Sequence, residues 1–163
     1  MSADLPSAEA QTVIAALRAR GATVATAESL TGGLLCSTLV AVPGASAVVR
    51  GGVIAYAAEV KVSMLDVPAD LVARAGTVDR DTTRAMAIGV RHRLAADYGL
   101  ASTGVAGPDQ VEGKPVGLVF VAVAGPGGTR VRRLELPGDR LVVRRGAAVA
   151  GLTLLLEVLR AAA

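Results

Sequence analysis

Ser29 stands in the segment Glu28-Ser29-Leu30-Thr31-Gly32-Gly33, between an apolar stretch and the apolar run from Leu34 to Val42, so its spacing predicts a strand-to-helix turn. A hydroxyl placed there can attack a carbonyl carbon if a neighbour takes its proton, and the helix start with Gly32 and Gly33 offers amides to an oxyanion. The same position also suits a helix N-cap, where serine stabilises orphan amides by about 1 kcal/mol. Composition narrows the choice of base. The single histidine, His92, lies between Arg91 and Arg93 in mid-helix and reads as solvent-facing, which is poor for a Ser-His-Asp triad. The single cysteine, Cys36, lies in an apolar run and reads as a buried thiol, and one Cys with one His cannot supply a zinc ligand set. An amine base remains.

Only two lysines, Lys61 and Lys114, occur among 17 basic residues. Lys61 has Val60, Val62 and Leu65 around it, and Tyr56 lies five residues earlier at the end of an expected strand. To accept a serine proton the amine must fall from its usual pKa of about 10.4 towards working pH, which apolar surroundings favour. A tyrosine hydroxyl beside it could relay or stabilise that proton. From spacing alone, a surface lysine and a strand-end tyrosine remain the plainer account of these two residues.

Four small-residue segments fall where strands should end or turn: Glu28 to Gly33, Gly51-Gly52, Thr103 to Pro108, and Gly113 to Gly117. Such loops let backbone amides approach an anion, although glycine at turns is also ordinary. Neither a Walker A ending nor a Gly-x-Gly-x-x-Gly fingerprint is present, so the common nucleotide folds match poorly. Arg140 and Arg144, at the start of the last helix, suit a phosphate and equally suit a solvated helix face.

The elements that must position these groups follow from periodicity. Helices are predicted over Ala8 to Arg20, closed by Gly21, and over Leu34 to Val42, Val60 to Leu65 and Ala69 to Ala75. A longer helix, capped by Asp79 or Asp81, should run to about Tyr98, and a final one should span Asp139 to Ala162. Strands are predicted over Ala22 to Ala27, Val48 to Tyr56, Leu100 to Val105, Pro115 to Ala124 and Thr129 to Leu136, the last two joined at Gly125 to Gly128. Helices before, between and after strands predict an α/β fold: a three-layer α/β/α sandwich with a mostly parallel mixed sheet.

The chain has 163 residues, enough for one domain over residues 1–163 without staples. Its net charge of +3 comes with only two tyrosines and one phenylalanine, which argues against a stacking platform for nucleic acid. The apolar stretches fall short of the ~20 residues that span a bilayer. Asp4 and Glu9 in Met1 to Gln11, with no basic-then-apolar run, give the expectation of a cytoplasmic protein.

Taken in order, Thr26 to Gly33 (TAESLTGG), Val42 to Ser46 (VPGAS), Gly51 to Tyr56 (GGVIAY), Glu59-Val60-Lys61, Thr103 to Pro108 with Lys114 to Gly117, and Gly138-Asp139-Arg140 leading to Arg144 cover most of the chain. Together they resemble the C-terminal domain of the competence/damage-inducible protein CinA, a family that includes stand-alone PncC-type nicotinamide-nucleotide amidases. The resemblance implies hydrolysis of nicotinamide mononucleotide to nicotinate mononucleotide and ammonia in pyridine nucleotide recycling, without metal or cofactor. It implies Ser29 as nucleophile, Tyr56 and Lys61 in proton transfer, and Thr31, Gly32, Gly33, Thr103, Gly104 and Gly107 shaping the substrate and oxyanion sites. It also implies a homodimer whose ligand is a small nucleotide, with neither nucleic acid nor membrane as partner. Two departures stand out. Ala58 replaces the asparagine that the family pattern places between Tyr56 and Lys61, and Asp109 to Gly113 replaces a glycine-rich stretch. Loss of a polar contact at Ala58 leaves open a catalytically weak nucleotide-binding or interaction module on the same fold.

Overall fold

The computed structural model describes residues 7–162. The acidic Asp4, part of the reading against a leader, lies outside the described residues. The chain runs α1 (Ala8–Arg20), β1 (Val24–Glu28), α2 (Leu34–Val40), a short 3-10 turn (Ala45–Ala47), β2 (Val49–Ile54), α3 (Ala58–Leu65), α4 (Ala69–Ala75) and α5 (Arg80–Arg93). It continues through β3 (Tyr98–Gly104), β4 (Leu118–Gly125), β5 (Gly128–Glu135) and α6 (Arg140–Ala161). The sheet order is β2-β1-β3-β4-β5; β1 pairs in parallel with β2 and β3, while β4 runs antiparallel to both its neighbours. Four strands therefore point one way and β4 alone runs against them, which makes the sheet mixed and mostly parallel in direction.

Alternation along the strands divides the core into two unlike layers. Val24, Leu100, Val119, Val121 and Val123 face one side and pack with α1, α2 and α6 through Ile14, Leu17, Leu35, Leu39, Leu152 and Leu155. Ala25, Ala27, Ala101, Ala122 and Ala124 face the other side, against Met86, Ala87 and Val90 of α5 and Leu65 of α3. The alanine face lets α5 lie close to the sheet, and a β-carbon at Gly99 would strike the Ala87 carbonyl. Helices on both faces complete the three-layer α/β/α arrangement. Among the described residues no helix is long and apolar enough to cross a membrane.

Most boundaries differ from the periodic reading by one or two residues, and two differ by more. α5 stops at Arg93 rather than near Tyr98, because Ala95 turns left-handed at φ 49° and the Ala96 amide closes onto the Arg91 carbonyl. That frees Tyr98 to open β3 beside Thr23, whose carbonyl accepts from the Tyr98 amide. β4 starts at Leu118 rather than Pro115, since Pro115 has no N–H to pair and Gly117 sits at φ 92°.

Candidate active site

Ser29 follows the last residue of β1 in the turn that leads to α2, and its amide donates to the Ser102 carbonyl of β3 at 3.0 Å. It is not the helix cap. α2 begins at Leu34 with Gly33 as its N-cap at φ 101°, a left-handed conformation natural to glycine. The cap's missing side chain is supplied from β1. The Glu28 carboxylate, 1% exposed, accepts from the Leu35 amide at 2.8 Å, the Cys36 amide at 3.0 Å and the Thr26 hydroxyl at 3.2 Å. Those helix amides are therefore taken, which leaves the serine side chain free for chemistry.

Lys61 lies on α3 with 0% exposure, and its Nζ meets three oxygens: Ser29 Oγ at 3.0 Å, the Ala55 carbonyl at 2.6 Å and the Tyr56 carbonyl at 3.1 Å. Burial pushes its pKa from 10.5 down to about 8, with the Glu112 carboxylate pulling the other way. As an ammonium it donates to all three. As a neutral amine it has two N–H groups for the two carbonyls and one lone pair for Ser29, so the Ser29 contact reverses and the hydroxyl becomes the donor. The two carbonyls thus hold the amine in the orientation of a general base.

The hydroxyl of Tyr56 does not join this pair. Tyr56 is 62% exposed, its backbone carbonyl meets Lys61, and its ring swings outward so that Arg140 Nη2 donates to the hydroxyl at 3.4 Å. The proton relay expected from that phenol therefore has no contact with Lys61 behind it. Ala58 likewise contributes none of these contacts. As the first residue of α3 it lies beside them, yet the Lys61 ammonium finds its three acceptors without it.

Ser29, Leu30, Tyr56, Gly104, Gly107 and Arg140 line one pocket of about 200 Å³ together with Thr77, Val78, Asp109 and Val111. Gly104 is required by close approach, since a β-carbon there would come within 2.7 Å of the Leu118 carbonyl. Arg140 donates to the Gly107 carbonyl at 2.7 Å, beside the cis Gly107–Pro108 bond, and so stands at the pocket rim. Leu30 lines the pocket, and among the described residues its amide has no protein acceptor.

The remaining sequence candidates brace the site from behind. Thr31 is fully buried, its hydroxyl 2.6 Å from the Ser102 hydroxyl. Arg144, one turn after Arg140, donates to the Leu30 carbonyl at 2.8 Å and the Thr31 carbonyl at 3.1 Å, so it clamps the Ser29 turn. Thr103 donates to the Thr77 carbonyl at 2.8 Å, and Gly32 and Gly33 shape the turn without lining the pocket. Gly51 and Gly52 belong to β2, paired with Ala25 and Thr26, where a β-carbon on Gly52 would strike the Thr26 hydroxyl. His92 is exposed on α5, and half-buried Cys36 lines a separate depression of about 440 Å³ with Val42, Pro43 and Arg50. Sequence reasoning missed Glu28, Ser102 and Glu112, whose partners Leu35, Thr31 and Thr77 lie 7, 71 and 35 positions away, where no local spacing rule reaches.

The family description "CinA C-terminal domain" matches residues 7–159. A CinA-like protein of Frankia casuarinae is 53% identical over 147 residues, covering 90% of this chain and 34% of its own length. A putative competence-damage inducible protein of Geobacillus is 47% identical over 147 residues, covering 90% of this chain and 35% of its own length. The chain thus spans about a third of the curated relatives it matches. Among solved structures, competence damage-inducible protein A of Klebsiella pneumoniae superposes with a TM-score of 0.91 at 34% identity, covering 93% of this chain and 95% of that one. A CinA superfamily protein of Escherichia coli superposes with a TM-score of 0.91 at 28% identity, covering 97% of this chain and 94% of that one. With the family description spanning nearly all described residues and relatives this similar, the chain belongs to the CinA C-terminal domain family.

Proposed function

We propose that this chain is an amidohydrolase that converts nicotinamide mononucleotide to nicotinate mononucleotide and ammonia, with Ser29 as nucleophile and Lys61 as base. The observation that carries this reading is the buried Lys61 Nζ 3.0 Å from Ser29 Oγ, with its other contacts fixed by two backbone carbonyls. The neutral amine takes the Ser29 proton as Oγ bonds to the carboxamide carbon. The carbonyl electrons move to oxygen, where the unengaged Leu30 amide supports the charge. Lys61 then returns the proton to the amide nitrogen, the C–N bond breaks and ammonia leaves an ester on Ser29. Water attacks that ester, Lys61 again accepts the proton, and Ser29 departs with it.

A pocket of about 200 Å³ suits the nicotinamide ring, and Arg140 at its rim suits the phosphate that the ribose extends to. The same reading needs no metal or cofactor, takes the small nucleotide as its partner, and expects a cytoplasmic homodimer. Incubating pure protein with nicotinamide mononucleotide and measuring ammonia tests it. Release should be steady for the native chain and should fall to background in Ser29→Ala. Equal release from that variant would overturn the reading.

A further inference from the structure

The segment from Asp109 to Lys114 forms a tight turn closed by a bridge between Val111 and Lys114, with Glu112 at its tip in a left-handed conformation, φ 55°. A non-glycine residue held there is strained, so something must hold it. The Glu112 carboxylate does. Oε1 accepts from the Thr77 amide at 2.8 Å and the Thr77 hydroxyl at 2.6 Å. Oε2 accepts from the Thr77 amide at 3.1 Å, the Val78 amide at 3.4 Å and Lys114 Nζ at 3.2 Å. Lys114 Nζ in turn donates to the Ala75 carbonyl at 2.9 Å. The receiving segment is fixed independently: the Thr82 hydroxyl donates to the Gly76 carbonyl at 2.7 Å and the Thr103 hydroxyl to the Thr77 carbonyl at 2.8 Å.

Thr77 and Val78 line the Ser29 pocket, and so do Asp109 and Val111 on the other side of the carboxylate. One anion therefore joins two walls of the pocket. We propose that Glu112 is a positioning residue, latching the 109–114 turn onto the segment before α5 so that the pocket keeps the dimensions that bind a nucleotide-borne amide. The proposal rests on the amidase reading for its ligand, while the latch itself is a property of the fold. Burial alone would raise the Glu112 pKa, but donors from Thr77, Lys114 and Val78 bring it down to about 2, so the latch is ionised at any working pH.

The test compares the native chain with Glu112→Gln, which removes the charge, and with Thr77→Val, which removes a donor from the opposite side. With nicotinamide mononucleotide as probe above about pH 9, where Lys61 is mostly neutral with or without the Glu112 charge, each variant should raise KM by about tenfold while kcat stays within about threefold, because the wall binds substrate without touching the reacting atoms. The double variant should raise KM by less than the product of the two single effects, since both substitutions weaken one latch. Hydrogen exchange should accelerate at residues 76–78 and 109–116 and stay unchanged from Ser29 to Leu65. Kinetic constants within about twofold of native, or equal losses in kcat and in exchange protection throughout the chain, would overturn the proposal. If the native chain releases no ammonia, the amidase reading fails and the exchange pattern alone decides the latch: local acceleration upholds it and an unchanged pattern overturns it.

Discussion

Ser29 and Lys61 are 32 positions apart, and the distance between their reacting atoms is 3.0 Å. An amine with a pKa of about 8 is roughly one-tenth neutral at pH 7, so under the proposed mechanism amide hydrolysis should rise about tenfold towards pH 9 and then level off. A pH–rate series checks this, and Lys61→Met should lower kcat by about 10²–10⁴-fold at every pH. Stability carries the same signature. The folded pKa of Lys61 lies below its unfolded value of 10.5, so between pH 8 and 10.5 the unfolded chain binds the extra proton. The Lys61 contribution to stability should therefore rise with pH across that window and be flat below it, as read from denaturant midpoints; Lys61→Met should lack the rise. That these two side chains meet was legible in part, because the single histidine and cysteine left few other candidate nucleophile and base pairs. The fate of Tyr56 was not legible, because spacing places a residue at a strand end without saying whether its carbonyl or its ring turns inward.

At the scale of elements, the β1–α2 junction decides whether the Ser29 side chain caps a helix or stays open to the pocket. Glu28 caps α2 from the strand, across seven and eight positions, by accepting from Leu35 and Cys36. Glu28→Ala leaves those buried amides and the Thr26 hydroxyl without their acceptor. It should destabilise the fold by about 2–4 kcal/mol, measured by denaturant unfolding. Glu28→Gln should cost less, since one oxygen remains to accept. Sequence periodicity located the strand, the turn and the helix within a few residues. It assigned the cap to Ser29 as one option because capping patterns are local, whereas the actual cap is a left-handed glycine plus a carboxylate from the preceding strand. The long helix before β3 was overrun for a similar reason: Ala95 adopts a left-handed turn that an alanine does not advertise.

For the whole molecule, the sheet order β2-β1-β3-β4-β5 sets Ser29 between strands that diverge to α2 and to the 105–117 loop, and α6 returns from the far end of the chain to flank it. Arg140 and Arg144 stand one turn apart on that helix yet act differently, one at the pocket rim and one under the turn. Arg140→Ala should raise KM for the nucleotide about tenfold and weaken its salt dependence, whereas Arg144→Ala should lower kcat by loosening the Ser29 turn; steady-state kinetics at two ionic strengths separate them. Their shared spacing made them equivalent in the sequence, and only the packing of α6 against the Leu30 and Thr31 carbonyls distinguishes them. The layered α/β/α plan was legible from alternating elements, while the pocket walls were not, because they join loops far apart in the chain. Labelling by a fluorophosphonate tests the proposed activation of Ser29 by the buried Lys61 amine without presuming the substrate. The probe should phosphonylate Ser29, at a rate that rises through pH 8 and drops about a hundredfold in Lys61→Met. Labelling at another residue, or at an unchanged rate in Lys61→Met, would contradict it.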